Sequence, residues 1–466
     1  MATSETTPNR LLSNAGHLLD QVDSVYFLLF PGWETELRGN RWHFAVRWAR
    51  HKPVVLVVPT LTAGASAKSV PEPRIPNCRI LRIYAVVERG PDQIAKDTQI
   101  QVGQILADMA RHHYERPLLW CYNWKLAGPF ARLPAVARVL HATEAHFDMP
   151  GIGRMLHRLR AAVAVTDLTI AVSDGVASGL RRRVPEAEIL TVTNGCDYRH
   201  YSEGKPDEEL AAKGSAYSRI AIYAGNINNR LDFDLLHRLA SDHEDVLFAF
   251  YGPTSPLSDA DASTWREVRN LSNVLAPGAV DPDRLRDLYA AADVGLIPYR
   301  HYPHLVDNGL PLKAMEMSAT GLPVVASLMT PLVGMAAGLV VTSSAEEFRA
   351  AFSRLSRATL TATQLAQLTA VSAANDYDSK FEQILGAIDK YVTDAQPATR
   401  VDRLVDALGP EWFAAEILLS AWVAMRLPVR VMGWSINAIA RLAPAPLKRR
   451  FKSNRLRKSV RELGGE

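Results

Sequence analysis

The feature that most constrains this 466-residue chain is the alternation of short apolar runs with helical stretches. Runs such as VYFLLF (25–30) and PVVLVVP (53–59) are apolar throughout rather than at every second position. Strands of this kind are covered on both faces, which is typical of a parallel sheet lying between two layers of helices. The pattern therefore predicts an α/β fold built on parallel sheets.

The apolar runs form two series, separated by a polar segment at 201–218 that has few large apolar side chains. The predicted strands of the first series are 25–30, 53–59, 79–84, 117–122, 136–141, 168–173 and 188–193. Those of the second series are 219–225, 245–252, 273–278, 293–299, 323–327 and 338–341. Because the chain is also too long for one ordinary core, we predict two doubly wound, Rossmann-like domains that face a cleft.

The same pattern predicts the boundaries of the parts. The first domain is expected at 1–200, a linker at 201–218 and the second domain at 219–376. A helix at 377–396 is expected to cross back to the first domain, and 397–466 to form a helical, basic, amphipathic extension.

The cysteines and the apolar content favour a cytoplasmic chain. Cys78, Cys121 and Cys196 lie far apart and form no C-x-x-C pair, which argues against a disulfide scaffold or a zinc cluster. The first sixteen residues have neither the basic start nor the apolar core of a secretory signal. We find no run of eighteen uncharged apolar residues, so no membrane span is predicted.

Polar residues follow the predicted strands of the second series, at the edge where ligands bind in doubly wound folds. In YAGNINNR, Gly225 would let backbone amides approach a ligand, and Arg230 could reach an anion. Neither half contains G-x-G-x-x-G, and no Walker lysine loop is present. An NAD site and ATP hydrolysis are therefore unsupported.

The segment DNGLPLKAMEMSATGLPVVAS (307–327) predicts a short helix followed by a buried strand. Pro311 suits the first helical turn, and Gly321 suits the residue just past the helix. Lys313 and Glu316 are three residues apart, so they project from one face near the helix N-terminus. They are either a surface ion pair or an anion site beside a hydroxyl acceptor, as a nucleoside diphosphate and its ribose require.

Four segments resemble glycosyltransferases of the B architecture, specifically nucleotide-sugar enzymes related to glycosyltransferase family 4 and to xanthan-type glucuronosyltransferases. GNRWHFAVRWARHKPVVLVVP (39–59) is similar to their first helix and second strand, and VLHATEAHFDMPG (139–151) to the segment that holds a catalytic acid or histidine. LTVTNGCD (190–197) is similar to the turn that closes the first domain. PLKAMEMSATGLPVVAS resembles the donor-site signature.

The resemblance implies that the first domain binds the acceptor and the second the nucleotide-sugar donor, with UDP favoured. Glu316 would bind the ribose and Lys313 the phosphates. The remaining expected donor-site residues, among which Tyr299 could stack on the base, are Gly225, Asn226, Arg230, Tyr299, Asn308, Gly309 and Leu310. Many relatives carry two glutamates eight residues apart, of which Glu316 matches the later one and the earlier one lies near the donor sugar. Here that position is Asn308, so Asn308 or Asp307 could contact the sugar, and the stereochemistry stays open.

A cluster after the fifth predicted strand offers candidates for activating the acceptor hydroxyl. Glu144 is the first choice as general base, His146 the second, and His141 a further candidate. The alternative is that Glu144 caps a helix and His141 packs in the core. Arg41 could also reach the diphosphate across the cleft. We expect no metal and no cofactor, because a helix N-terminus, backbone amides and one or two cations can hold the leaving diphosphate, and HYPH (301–304) lacks a third ligand.

The C-terminal part suggests a peripheral membrane contact. From Ile417 to Arg461 the chain has eleven Lys or Arg residues and no Asp or Glu, interleaved with bulky apolar side chains. The segment 400–466 could therefore lie on an anionic membrane, on its cytoplasmic face, or pack on the domains and end in a solvated tail. No nucleic-acid motif accompanies it.

The sequence thus predicts a metal-independent glycosyltransferase acting on a glycan or a lipid-linked acceptor. A nucleotide-sugar epimerase of the same fold and an inactive membrane-associated scaffold subunit are the alternatives.

Overall fold

A computed structural model describes residues 16–36, 38–61, 66–85, 91–148, 156–392 and 396–408. The first domain is built on an eight-stranded sheet in the order β3-β4-β2-β1-β5-β6-β7-β8. Its strands are β1 (Ser24–Leu28), β2 (Val54–Leu61), β3 (Lys68–Pro71), β4 (Cys78–Tyr84), β5 (Pro117–Cys121), β6 (Ala137–Ala142), β7 (Leu168–Ala171) and β8 (Ile189–Thr191). Every neighbouring pair is parallel except β3–β4.

Two helical layers cover the first sheet, which explains why its strands are apolar throughout. The helices of this domain are α1 (Gly16–Gln21), α2 (Asn40–Ala49), α3 (Pro91–Arg111), α4 (Ala127–Arg132), α5 (Leu156–Ala164) and α6 (Asp174–Arg181). One buried cluster joins the sheet to α3, α4, α5 and α6, and a second joins it to α1 and α2. The parallel sheet between helices is therefore as predicted.

The second domain starts with α7 (Tyr198–Ser202) and α8 (Glu208–Gly214) and has a six-stranded parallel sheet in the order β11-β10-β9-β12-β13-β14. Its strands are β9 (Arg219–Ala224), β10 (Val246–Tyr251), β11 (Val274–Gly278), β12 (Val294–Ile297), β13 (Val324–Ser327) and β14 (Leu339–Thr342). Its further helices are α9 (Phe233–Asp242), α10 (Asp259–Arg269), α11 (Leu285–Ala291), α12 (Pro303–Asn308), α13 (Leu312–Ala319), α14 (Ala345–Arg354) and α15 (Ala362–Ala374). The strand order reverses beside β9, which is where doubly wound folds bind ligands.

Two C-terminal helices pack on the first domain. In α16 (Tyr377–Asp389), Tyr377 and Phe381 join the buried cluster that contains α2, so this helix crosses back as expected. Helix α17 (Val401–Leu408) follows, and its Leu404 is buried with the residues of α4 and α5. The extension predicted at 397–466 lies outside the described residues from 409 onward.

The structure differs from the sequence prediction in two elements. The segment 201–218 is not a free linker, because Tyr201 and Leu210 are buried in the core of the second domain. Strand β3 was not predicted, since its side chains are exposed and it pairs antiparallel at the edge of the sheet. The predicted fold class, two Rossmann-like domains with parallel sheets, is confirmed.

None of the helices in the described part of the chain is long and apolar enough to cross a membrane.

Candidate functional site

Three glycines end neighbouring strands of the second domain and leave the floor of the cleft open. Gly225, Gly252 and Gly278 follow or end β9, β10 and β11, and all three have positive φ angles, of 148°, 141° and 97°. A Cβ on Gly252 would lie 2.0 Å from the Gly225 carbonyl oxygen, and one on Gly225 would lie 2.4 Å from Lys313 Nζ. Only glycine fits this close approach of backbone and side chain.

Helix α13 brings Lys313 and Glu316 to the same part of the cleft, as its sequence predicts. Pro311 occupies the N-cap position, and Gly321 follows the helix with φ of 71°. The first N–H groups of a helix have no partner within it, so this end offers backbone donors to an anion.

Lys313 is held by two tyrosines. Its Nζ donates a hydrogen bond of 2.9 Å to the Tyr299 hydroxyl and lies 4.1 Å from the centroid of the Tyr223 ring. Burial disfavours the ammonium, but the two phenol groups hold the pKa of Lys313 above its ordinary value. Within the described residues, no carboxylate forms a direct ion pair with Lys313, so the pocket contains a half-buried cation held by two phenol groups.

Glu316 lies one turn further along α13 and is 9% exposed. Burial raises the pKa of its carboxyl group to about 7, although a hydrogen bond with Tyr201 and the charge of Lys313 act in the opposite direction. A buried carboxylate that ionises near neutral pH can accept hydrogen bonds from a pair of ligand hydroxyl groups.

Two adjoining cavities contain these groups. The larger, of about 270 Å³, is lined by Lys313 and Glu316 together with Tyr251, Val280 and Leu285. The smaller, of about 170 Å³, lies between the domains and is lined by Thr143, Glu144, His304 and Asn308 among others. Both are bordered by Arg230, Tyr299, Pro311 and Leu312, so the two cavities form one continuous cleft.

Arg230 crosses this cleft and contacts the first choice for general base. Its Nη2 donates a hydrogen bond of 3.0 Å to Glu144 Oε1, and the two side chains are 39% and 40% exposed. Glu144 follows β6 in the first domain, whereas Arg230 follows β9 in the second. The predicted base and the predicted anion ligand therefore meet between the domains.

A second ion pair closes the rim of the larger cavity. Arg38, a first-domain residue with φ of 60°, binds both carboxylate oxygens of Asp283, and its Nη2–Oδ2 distance is 2.8 Å. Sequence reasoning had singled out Arg41 instead. The Arg41 side chain binds Glu36 and the carbonyl oxygens of Phe30 and Gly32, so it is engaged within its own loop.

A buried chain of hydrogen bonds runs from the first domain to the segment that precedes α13. The Tyr122 hydroxyl donates to Asn40 Oδ1 at 3.0 Å, Asn40 Nδ2 donates to Asn194 Oδ1 at 2.9 Å, and Asn194 Nδ2 donates to the Leu310 carbonyl oxygen at 2.8 Å. Leu310 thus contributes its carbonyl group to the domain interface rather than to the cavity.

Gly309 and Asn308 are also engaged by their surroundings. The Gly309 amide donates to the Leu305 carbonyl oxygen at 2.7 Å, so it is not a free donor for a phosphate. Asn308 is buried against α6, where a Cβ on Gly175 would lie 2.1 Å from Asn308 Oδ1. Its Oδ1 has no hydrogen-bond partner among the described residues. Asp307, the alternative, is exposed.

Two further donor-site predictions need revision. Tyr299, expected against the base, lies at the Lys313 end of the cleft, and its hydroxyl accepts the lysine hydrogen bond. The Asn226 side chain accepts a hydrogen bond of 2.9 Å from Ser255, so it holds the loop after β9 instead of lining either cavity.

The histidines of the first domain have different surroundings. His141 is 1% exposed and stacks on Tyr122 with 5.0 Å between ring centroids, and neither of its ring nitrogens has a hydrogen-bond partner in the described part of the chain. Burial lowers its pKa to about 3, which argues against His141 as a base and favours its alternative role in the core. His146 is half-buried, stacks on Phe30, and has a pKa that burial lowers.

Sequence reasoning missed several residues that shape the cleft: Arg38, Gly175, Asn194, Tyr201 and Tyr223. The glycine and the asparagine act across the domain interface, and no local sequence pattern marks such a contact. The sequence places Tyr223 just before the Ala-Gly turn at the end of β9. Its contact with Lys313 could not be predicted, because that contact depends on where the fold places the lysine.

Comparisons with known proteins agree with this geometry. Residues 219–358, the greater part of the second domain, match the family described as Glycosyl transferases group 1. A segment of 138 residues is 28% identical to Bacillus subtilis (strain 168) TuaH, named as a glycosyltransferase of teichuronic acid biosynthesis. That match covers 30% of this chain and 34% of the relative, so it spans about a third of the relative's length.

Solved structures match the two-domain fold. The trehalose-6-phosphate structure from E. coli with bound UDP-2-fluoro glucose has a TM-score of 0.60 at 11% identity, over 81% of this chain and 100% of the other. Sucrose-phosphate synthase from Thermosynechococcus elongatus has a TM-score of 0.54 at 15% identity, over 79% and 96%. Anabaena HepE in complex with UDP has a TM-score of 0.54 at 13% identity, over 79% and 100%.

These findings confirm the predicted relationship to glycosyltransferases and the glycosyltransferase B fold.

Proposed function

We propose that this chain, whose second domain matches group 1 glycosyl transferases and whose two domains adopt the glycosyltransferase B fold, transfers a sugar from a UDP-sugar to a hydroxyl group. The observation that carries the proposal is Lys313, a half-buried cation that forms no direct ion pair with a carboxylate of the described residues, at the start of α13. A charge that is partly removed from water is costly unless it is paired. The diphosphate of the donor supplies the missing negative charge.

The donor lies across the two cavities. Its ribose hydroxyls donate to Glu316, its diphosphate contacts Lys313 and Arg230, and its base occupies the end near Val280. The sugar enters the smaller cavity, next to Glu144. Two of the similar solved structures contain bound UDP-2-fluoro glucose or UDP, which supports UDP as the nucleotide.

The reaction needs fixed positive charge and a base. As the bond between the anomeric carbon and the diphosphate oxygen breaks, the electron pair leaves with the diphosphate, where Lys313 and Arg230 stabilise the growing charge. The oxygen of the acceptor hydroxyl forms the new bond to the anomeric carbon, and Glu144 accepts the proton of that hydroxyl. The two cations and the amides of α13 carry out the charge stabilisation, so we propose transfer without a metal.

The acceptor proposed is a glycan or a lipid-linked saccharide, in line with the name of the Bacillus subtilis relative. The basic segment at 400–466 would then hold the protein on the cytoplasmic face of an anionic membrane. Flotation of the full chain and of a variant lacking 409–466 with phosphatidylglycerol liposomes tests this contact. Equal flotation of the two would reject it.

Calorimetric titration with UDP and GDP, in EDTA and then in Mg²⁺, tests the donor site. We expect UDP binding that does not need the metal and is lost in Lys313→Ala. Incubation with a panel of UDP-sugars then separates transfer from its alternatives. A changed sugar nucleotide in the absence of acceptor would indicate an epimerase, and tight binding without any turnover would indicate a scaffold.

A further inference from the structure

The ion pair between Arg230 and Glu144 joins two groups that the proposed reaction uses separately. Arg230 Nη2 lies 3.0 Å from Glu144 Oε1, and Arg230 borders both cavities. The Arg230 backbone is fixed, because its amide donates to Asn228 Oδ1 at 3.0 Å and its carbonyl oxygen accepts from the Arg300 amide at 2.7 Å. The backbone therefore holds the Arg230 side chain at the junction of the two cavities.

The pair is weak enough to be displaced. Both side chains are about two-fifths exposed, at 39% and 40%. Pairs of that exposure typically stabilise a protein by about 0–1 kcal/mol. A diphosphate offers more charge than one carboxylate and oxygens that fit the guanidinium fork bidentately. It is therefore the stronger partner for Arg230.

The pair also affects Glu144 as a base. A carboxylate oxygen that accepts a hydrogen bond from a guanidinium is held against Arg230 and is less available to an acceptor proton. Once the guanidinium turns to a phosphate, that oxygen is free.

We propose that Glu144 and the donor diphosphate compete for Arg230, so that the general base is released only when the donor occupies the cleft. This inference rests on the proposed function and deepens it. Glu144 then has two roles: it competes with the donor diphosphate for Arg230, and it serves as the general base. The acceptor is activated only after the donor is bound. An enzyme built in this way does not deprotonate an acceptor while the leaving group is absent.

Titration of the full chain with UDP tests the competition. In Glu144→Gln the neutral amide competes poorly for the guanidinium, so we expect UDP to bind about two- to fivefold more tightly than to the wild type. A general base that does not touch the donor would leave this affinity unchanged. Unchanged or weaker UDP binding in Glu144→Gln therefore overturns the inference.

Two further variants make the result specific. Asp148→Asn removes a negative charge from the same first-domain loop, but Asp148 is exposed, pairs with Arg183 and lines neither cavity, so UDP affinity should not change. In an Arg230→Ala background, Glu144→Gln should no longer tighten UDP binding. An equal gain in UDP affinity in Asp148→Asn, or in Glu144→Gln combined with Arg230→Ala, would overturn the inference. Such a gain would arise from the loss of a negative charge alone and not from the release of Arg230.

The outcomes separate this inference from the proposed function. If wild-type protein binds no UDP, both fail. If UDP binds and Lys313→Ala abolishes binding while Glu144→Gln has no effect, the donor site stands and only the competition is rejected. Thermal unfolding of each variant establishes that it is folded.

Discussion

The two domains contribute to the cleft in opposite ways. The second domain holds its part in place, because the row of glycines, Lys313 and Glu316 are fixed by one sheet edge and one short helix. The first domain contributes groups whose partners lie in the other domain, such as Glu144, Arg38 and Asn194. The second domain, which we propose binds the donor, thus forms a half of the cleft that is fixed by its own fold, here called the donor half. The first domain, which we propose binds the acceptor, forms the acceptor half, which is organised by contact across the cleft.

The greatest loss should come from removing Lys313, the half-buried cation of the donor half. Lys313→Met should lower the turnover of a UDP-sugar about 10²- to 10³-fold, because a charge-stabilising group in a closed site typically lowers the barrier by about 2.7–4 kcal/mol. The measurement is kcat/KM from release of UDP, with the free energy of unfolding determined in parallel.

The control is Lys213→Met, which removes a lysine that is exposed and paired with Glu209 on the surface. It should keep its activity. Near-normal turnover in Lys313→Met would show that the second domain does not stabilise the leaving group in this way.

The next effect is a pH dependence that arises from Glu316 in the donor half. Burial raises the pKa of Glu316 from an ordinary value of 4.5 to about 7, so at this group the folded state binds more protons than the unfolded state between these values. The contribution of Glu316 to stability therefore falls as pH rises from about 4.5 to 7, by up to about 3 kcal/mol.

Glu316→Gln removes this dependence. We expect the free energy of unfolding of the variant to exceed that of the wild type at pH 8, and the difference to vanish near pH 4.5. The variant should also bind UDP less tightly than the wild type. Urea unfolding at pH 5, 6, 7 and 8 measures the difference. A stability difference that does not change with pH would contradict the burial argument.

The sequence predicted the donor half better than the acceptor half, and the reason is physical. Lys313, Glu316 and Gly225 lie in short segments where helix start, helix end and strand end are marked by proline and glycine, so local rules place them. The role of Glu144 was inferred from similarity, but its partner Arg230 is 86 residues away in another domain. The packing of the two domains determines such contacts, and no local sequence pattern predicts that packing.

The same reasoning applies to the contacts of single residues. Asn308 and Gly309 both line the smaller cavity, but Asn308 also packs against α6 and the Gly309 amide closes a helical turn. Sequence patterns identify the segment, whereas the contacts of each residue depend on the neighbouring domain.

A smaller effect tests the rigidity of the donor half. In Gly252→Ala the new Cβ would lie 2.0 Å from the Gly225 carbonyl oxygen, at a φ of 141°, so we expect a loss of about 1–3 kcal/mol in stability and weaker UDP binding. Gly386→Ala is the matched control, since its helical position is open, and it should stabilise the protein by about 0.5–1 kcal/mol. Denaturant unfolding compares the two. Equal effects would mean that the strand ends tolerate side chains.

The smallest expected effect concerns the acceptor half. His141 is surrounded by Phe44, Trp120 and Tyr122, and neither of its nitrogens has a partner among the described residues. His141→Phe keeps the stacking and removes an unpaired polar ring, while the larger ring opposes this gain by crowding. We therefore expect a change in stability below about 1 kcal/mol and kcat within about twofold of the wild type, because a ring sealed in the core cannot reach an acceptor. A large loss of activity in His141→Phe, without a loss of stability, would show that the core histidine takes part in proton transfer. The first domain would then hold a preformed catalytic group after all, and the contrast between the two halves of the cleft would disappear.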